Sequence, residues 1–198
     1  MRKRMVNESD SEEDTETEST ITVTDNIIRF HADVTRSNCF KLIECLDKAK
    51  QYVVSKHILN PLDEPSKIYL YIFSDGGEVY AAMTIIDILL SSPIDIITIN
   101  EGCVASAGVL ISLAGSKRYI RKNAYMLIHE IRSGCLGKYS ECQDDMKNND
   151  ILMDHVKSYM NSRCNNHKLK KKLNKVLKHD HIWPAEKCLK HGLVDKII

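Results

Sequence analysis

The feature that most constrains this chain is a unit that occurs twice in succession: a short apolar run, a turn containing glycine, and an apolar segment of helical length. The first unit is residues 68–73, the turn Ser74-Asp75-Gly76-Gly77 and residues 78–90; the second is residues 94–99, the turn Asn100-Glu101-Gly102 and residues 105–113. A run of this length bounded by turn formers reads as a buried strand, and the longer segments read as helices. Pro93 divides the two units, because a proline ring cannot continue a helix. Strands joined by helical crossovers run parallel and cross over with a right hand, so the expected fold class is α/β, with helices packed on a mostly parallel sheet.

The flanking sequence extends this pattern. A strand is expected at residues 26–30, then a helix from about residue 38 capped by Ser37, on which Phe40, Ile43, Leu46, Ala49 and Val53 recur at helical steps. Further on, residues 125–129 read as a strand and residues 144–160 as a long helix. Residues 168–178 read as an amphipathic helix with Leu169, Leu173 and Leu177 on one side and lysines around them. Pro184 is placed to open a last helix and Gly192 to close it, with a final strand at residues 193–198. Residues 7–20 carry acidic and hydroxyl side chains and no apolar one, too little to offset chain entropy by burial. The expected organisation is an acidic, disordered segment at residues 1–20 and one folded domain over residues 21–198.

Charge and cysteine usage narrow the function classes. With 28 basic and 27 acidic residues the net charge is +1, which supplies no global field for nucleic acid or an anionic membrane. The longest apolar stretch, residues 103–114, is too short to cross a hydrocarbon core of about 30 Å. The N terminus runs from a basic tip straight into acids without an apolar core region, unlike a secretory signal. A cytoplasmic location is therefore expected. Seven cysteines without a C-x-x-C pair fit free thiols better than a disulfide frame or a zinc cluster.

Both glycine turns lead from a strand into a helix, where unpaired backbone N–H groups point outward and are able to hold an anion or oxyanion. Ser106 lies after the second turn, in the first turn of its helix, among Ala105, Ala107 and Gly108, small neighbours that leave room for a substrate carbonyl beside the Ala107 N–H. Among eight histidines, His129 ends the apolar run that precedes it, at a strand end where the active-site groups of α/β folds collect. Asp180, between His179 and His181, is a candidate acid, and His-x-His alone is a weak metal signal. Neither a P-loop nor a G-x-G-x-x-G fingerprint is present, so no site for ATP or a dinucleotide is expected. No cofactor or metal is expected either.

Taken in order and with their spacing, Ser74-Asp75-Gly76-Gly77, residues 102–108, Met126-Leu127-Ile128-His129, and the stretch from Asp180 through Ala185-Glu186 to Gly192-Leu193-Val194-Asp195 resemble the Clp-type serine peptidases. The resemblance covers the chain from about Asn26 to its end. It implies a crotonase-like fold and an endopeptidase acting on unfolded polypeptides, with Ser106 as nucleophile, His129 as general base and Asp180 as the residue that orients the histidine. It also implies an oxyanion hole made by the N–H groups of Gly77 and Ala107, and pairing of the substrate backbone along Gly76 and Val79. A homo-oligomer of stacked heptameric rings, fed by an AAA+ unfoldase, follows from the same resemblance.

Several positions depart from the family pattern. Asp75 stands where proline is usual, Glu130-Ile131 replaces Gln-Pro after the histidine, and His179 replaces the arginine before the aspartate. An imidazole cannot reproduce a bidentate guanidinium contact, so the ring-to-ring contact is expected to differ. The acidic N-terminal segment is also unlike the axial loops of the family. Two other readings share the fold: a non-catalytic ring subunit, and an acyl-CoA hydratase or isomerase of the crotonase type using Glu78 and Glu101.

Overall fold

The computed structural model describes residues 19–64, 66–164 and 166–198. Two antiparallel strands, β1 (Thr20–Thr24) and β2 (Ile27–His31), open the chain, and helix α1 (Arg36–Leu59) follows. Next come β3 (Ile68–Ser74), α2 (Val79–Leu90), β4 (Ile96–Ala105), α3 (Ala107–Leu113), β5 (Lys117–Ile120) and β6 (Tyr125–Leu127). The chain ends with α4 (Tyr139–Arg163), α5 (His167–Leu177), β7 (Ile182–Pro184), α6 (Ala185–Lys190) and β8 (Lys196–Ile197).

The sheet has the order β1-β2-β3-β4-β5-β8. All its pairings after β1 are parallel along this path, as the strand–helix alternation predicts. β4 is long because it serves two neighbours on one side: its first half pairs with β5, and Cys103, Val104 and Ala105 pair with β6. β6 in turn pairs with β7, antiparallel. The expected turn at Asn100-Glu101-Gly102 is therefore strand, not turn. The register with β3 slips there, from Ile72 opposite Asn100 to Ser74 opposite Val104, so the extra residues are taken up as a bulge while β4 continues.

The core lies between the sheet and the helices. The α1 stripe is Cys39, Leu42, Leu46, Ala49 and Val53, all buried, whereas Phe40 is 67% exposed. Phe40 sits one residue, about 100° of helix, off the buried line, which corrects the expected stripe. The cap is also two residues earlier than expected: the Thr35 hydroxyl, not that of Ser37, accepts the Asn38 N–H at 3.2 Å. α2 and α3 are apolar nearly all round; Ile85 and every residue of α3 are buried. Leu169, Leu173 and Leu177 of α5 are buried too.

Two edges differ from expectation. β1 starts at Thr20, one residue before the expected boundary, and the rest of the acidic segment read as disordered lies outside the described residues. Helix α4 starts at Tyr139 rather than 144, and the part of it before Met153 buries no side chain. Its far end is anchored: Arg163 donates to the Leu113 and Gly115 carbonyls, and Arg118, itself buried, donates to the Arg163 carbonyl at 2.6 Å.

The cysteine expectation needs a correction. Cys135 and Cys142 are joined in a disulfide that ties the loop before α4 to its first turn, and the other five cysteines are free. No helix among the described residues is long and apolar enough to cross a membrane.

Candidate functional site

The site forms where β3, β4 and β6 end together. β4 delivers Ser106 directly: the Ser106 N–H donates to the Leu127 carbonyl of β6 at 2.9 Å, and the Ser106 carbonyl accepts from the Val109 N–H as α3 begins. Ser106 adopts φ 52° and ψ −123°, a conformation that L side chains avoid and that persists only where the surroundings fix it. The expected position in the first turn of a helix is thus corrected to the sharp bend immediately before it.

The Ser74–Gly77 turn lies against this bend. Gly76 and Gly77 both have positive φ, and a Cβ added to Gly76 would sit 2.6 Å from the Cβ of Ser106. A Cβ on Gly77 would sit 2.4 Å from the Val34 carbonyl oxygen. Only glycine permits both the conformation and the approach. The short bridge to Val34 uses the Gly76 carbonyl (2.6 Å) and the Glu78 N–H (2.7 Å), so the Gly77 N–H is left out of the pairing. The Ala107 N–H, at the start of α3, is one that a helix cannot satisfy internally.

His129 follows β6 by two residues, outside the expected strand end, and it shares a cleft of about 270 Å³ with Ser106. Val109, Leu110, Ile128, Ile131, Val156 and Met160 give the cleft an apolar lining. Asp75, Gly77, Val79 and Ala107 line it as well, while Gly76 lies behind, against Ser106. The His129 Nδ1 is 2.5 Å from the Glu130 carbonyl oxygen. A carbonyl only accepts, so Nδ1 carries the hydrogen and Nε2 has the free lone pair.

Asp180 stands two residues before β7 and His129 two residues after β6, and the two strands pair: Tyr125 with Pro184, Met126 with Trp183 and Leu127 with Ile182. Beyond this ladder the Glu130 N–H donates to the Leu177 carbonyl at 2.8 Å. The Asp180 carboxylate is nevertheless bound elsewhere, to the Arg132 guanidinium, Nη2 to Oδ2 at 2.5 Å. Arg132 was not singled out in the sequence; its only signal was a cation three residues beyond the candidate histidine. His179 and His181 stack on each other with ring centres 5.3 Å apart.

The model of the Clp protease family matches residues 18–198. The chain belongs to the Clp protease family. It is 32% identical over 157 residues to the ATP-dependent Clp protease proteolytic subunit 2 of Tropheryma whipplei, covering 76% of this chain and 84% of that one. It is 30% identical to the ATP-dependent Clp protease proteolytic subunit of Streptococcus mutans, over 76% and 78% of the two chains. A third relative, proteolytic subunit 1 of Leifsonia xyli, is 32% identical over 76% and 77%.

Membership of the Clp protease family favours the peptidase reading over the acyl-CoA one. Glu78 is paired with Arg36 at 3.4 Å, and Glu101 with Arg121 at 3.2 Å and His31 at 3.4 Å; neither lines the Ser106 cleft. Cys103 is no rival nucleophile, because burial and then the Asp75 charge push its thiol above its ordinary value. Among the described residues no group of three His, Cys, Asp or Glu side chains is placed to hold a metal ion.

Proposed function

We propose that this chain is a serine endopeptidase that cleaves unfolded polypeptides, with Ser106, His129 and Asp180 as its triad. The observation that supports the reading is that Ser106 and His129 line one cleft at the ends of the neighbouring strands β4 and β6, while Asp180 lies two residues before β7, which pairs with β6. His129 Nε2 takes the Ser106 proton as Oγ attacks the peptide carbonyl, then returns it to the leaving amine. Asp180, turned to Nδ1, stabilises the imidazolium formed at that moment. The N–H groups of Gly77 and Ala107 receive the oxyanion, and Gly76 and Val79 lie along the path of an added substrate strand. The apolar lining of the cleft suits an apolar side chain beside the scissile bond.

Assembly belongs to the same reading. The exposed part of α4 and the loop before it present Leu136, Tyr139, Met146 and Ile151, each at least 67% exposed, as an apolar surface suited to a second copy of this chain. Rings stacked through such a surface would enclose the clefts. The relatives are named as subunits of ATP-dependent proteases, and this sequence has no P-loop, so a separate AAA+ unfoldase is the proposed source of energy, in the cytoplasm.

Fluorophosphonate labelling with turnover of a short fluorogenic peptide tests the reading. Labelling confined to Ser106, with turnover at least about 10³-fold lower in Ser106→Ala, is expected. An assembled ring that neither labels nor turns over would make this a non-catalytic subunit.

A further inference from the structure

The one carboxylate of the proposed triad is held by a group outside it. Asp180 Oδ2 and Arg132 Nη2 are 2.5 Å apart, while the Nδ1 of His129, two residues beyond the strand that pairs with β7, is turned to the Glu130 carbonyl. A guanidinium is charged at every accessible pH and makes charge-assisted hydrogen bonds to a carboxylate, so Arg132 is a strong competitor for Asp180. Asp180 has Arg132 of the loop after β6 on its carboxylate, and His179 and His181 beside it in the chain. Arg132 is the cation seated on its oxygen.

We propose that Arg132 is a positioning residue that draws Asp180 away from His129 and so lowers the fraction of molecules with a complete triad. This rests on the triad reading above. Both side chains are largely exposed, 74% for Arg132 and 53% for Asp180, so solvent screens the pair and it biases the carboxylate rather than locking it. Arg132 also lines the Ser106 cleft, but it makes no hydrogen bond or ion pair to β4 or α3 among the described residues. The proposed effect runs through Asp180 on the chemical step, which a change in kcat at constant KM separates from a direct contact with substrate.

The test compares full-length wild type with Arg132→Gln and Arg132→Lys, each with and without Asp180→Asn. Two readouts are used: steady-state peptide turnover, and the imidazole N–H proton resonances of the histidines. Arg132→Gln is expected to raise kcat about two- to fivefold with KM unchanged, the range an exposed ion pair is able to supply. The gain should shrink in about 1 M salt, where the wild-type pair is already screened. It should also bring up a far-downfield N–H resonance from His129 bonded to a carboxylate. Arg132→Lys should stay near wild type, and Asp180→Asn should erase every difference. A lower kcat, a change in KM alone, or no new resonance in Arg132→Gln would overturn the proposal. A new resonance without turnover in any variant would keep the Arg132 coupling and sink the peptidase reading alone.

Discussion

Two Arg–Asp pairs in this chain have the same closest approach and opposite surroundings. Arg118 and Asp195 meet at 2.5 Å with side chains 4% and 32% exposed; Arg132 and Asp180 meet at 2.5 Å with side chains 74% and 53% exposed. The first pair is also fixed by its neighbours, since Arg118 donates to the carbonyls of Arg163 and Gly192 and joins β5, α4 and the C-terminal segment. The second has no such frame. Only the second pair touches the site, where Arg132 lines the Ser106 cleft; Arg118 and Asp195 line a separate hollow with Arg163. Ser106 is carried by a buried strand and a buried helix, whereas His129 and Asp180 stand on loops that reach into solvent. Equal distances thus describe a structural anchor in one place and an adjustable contact in the other, because it is desolvation that decides what losing a partner costs.

The largest effect that sharpens this contrast is expected at the buried pair. Arg118→Ala should cost about 3 kcal/mol in urea unfolding, since it removes the buried guanidinium and its hydrogen bonds to Asp195 and to the Arg163 and Gly192 carbonyls together. The same pair gives an acid limb. Burial pushes the Asp195 carboxyl up, but the hydrogen bonds and charge of Arg118 outweigh it and hold it below its ordinary value. A depressed carboxyl contributes stability above its unfolded pKa of about 3.9, and that contribution is lost as pH falls below about 4 through the folded value. Asp195→Asn should flatten that limb in unfolding curves taken between about pH 5 and 2.

Next in size is Gly77→Ala. Its Cβ would press on the Val34 backbone at φ 138°, for a loss of about 2–3 kcal/mol together with most peptide turnover. Full stability in this variant would mean that the wall behind Ser106 is softer than its packing implies. On the exposed side, replacing Cys135 and Cys142 by serine opens a loop of seven-residue separation and should lower stability by about 1–2 kcal/mol. Smallest of all, Arg132→Gln should change stability by less than about 1 kcal/mol, measured in the same urea series. A loss there as large as that of Arg118→Ala would break the comparison.

The sequence made legible those parts whose signal is local. β3 and α2 stand within a residue of their expected bounds, because the apolar run is stopped by Ser74-Asp75-Gly76-Gly77 and the helix by the approach to Pro93. β1 was missed although Thr20–Thr24 alternates Thr, Ile, Thr, Val, Thr, since the adjoining acidic segment drew those residues into a polar reading. The continuation of β4 through Asn100-Glu101-Gly102 depends on β6 arriving as a neighbour, which no local pattern announces. Ser106 was legible as a small-residue position beside a helix, but its positive φ was not, because serine carries no conformational signature of that kind. The pairing of β6 with β7, which precede and follow two helices, depends on a ladder between residues far apart in sequence, and the Arg132–Asp180 contact on the course of an exposed loop. The Cys135–Cys142 bond was likewise invisible, since pairing depends on how that loop closes on α4.

The slip in register along β4 also has a mechanical meaning. Before it, the strand is clamped between β3 and β5; after it, Cys103, Val104 and Ala105 carry β6, which carries β7. The small β6–β7 ribbon hangs on the last third of a strand about 33 Å long, as a flap hangs on a hinge pin. Ser106 sits at the tip of the pin and the other two groups sit on the flap. A small roll of the ribbon about β4 would sweep His129 and Asp180 together past a stationary hydroxyl, so base and acid would move as one body.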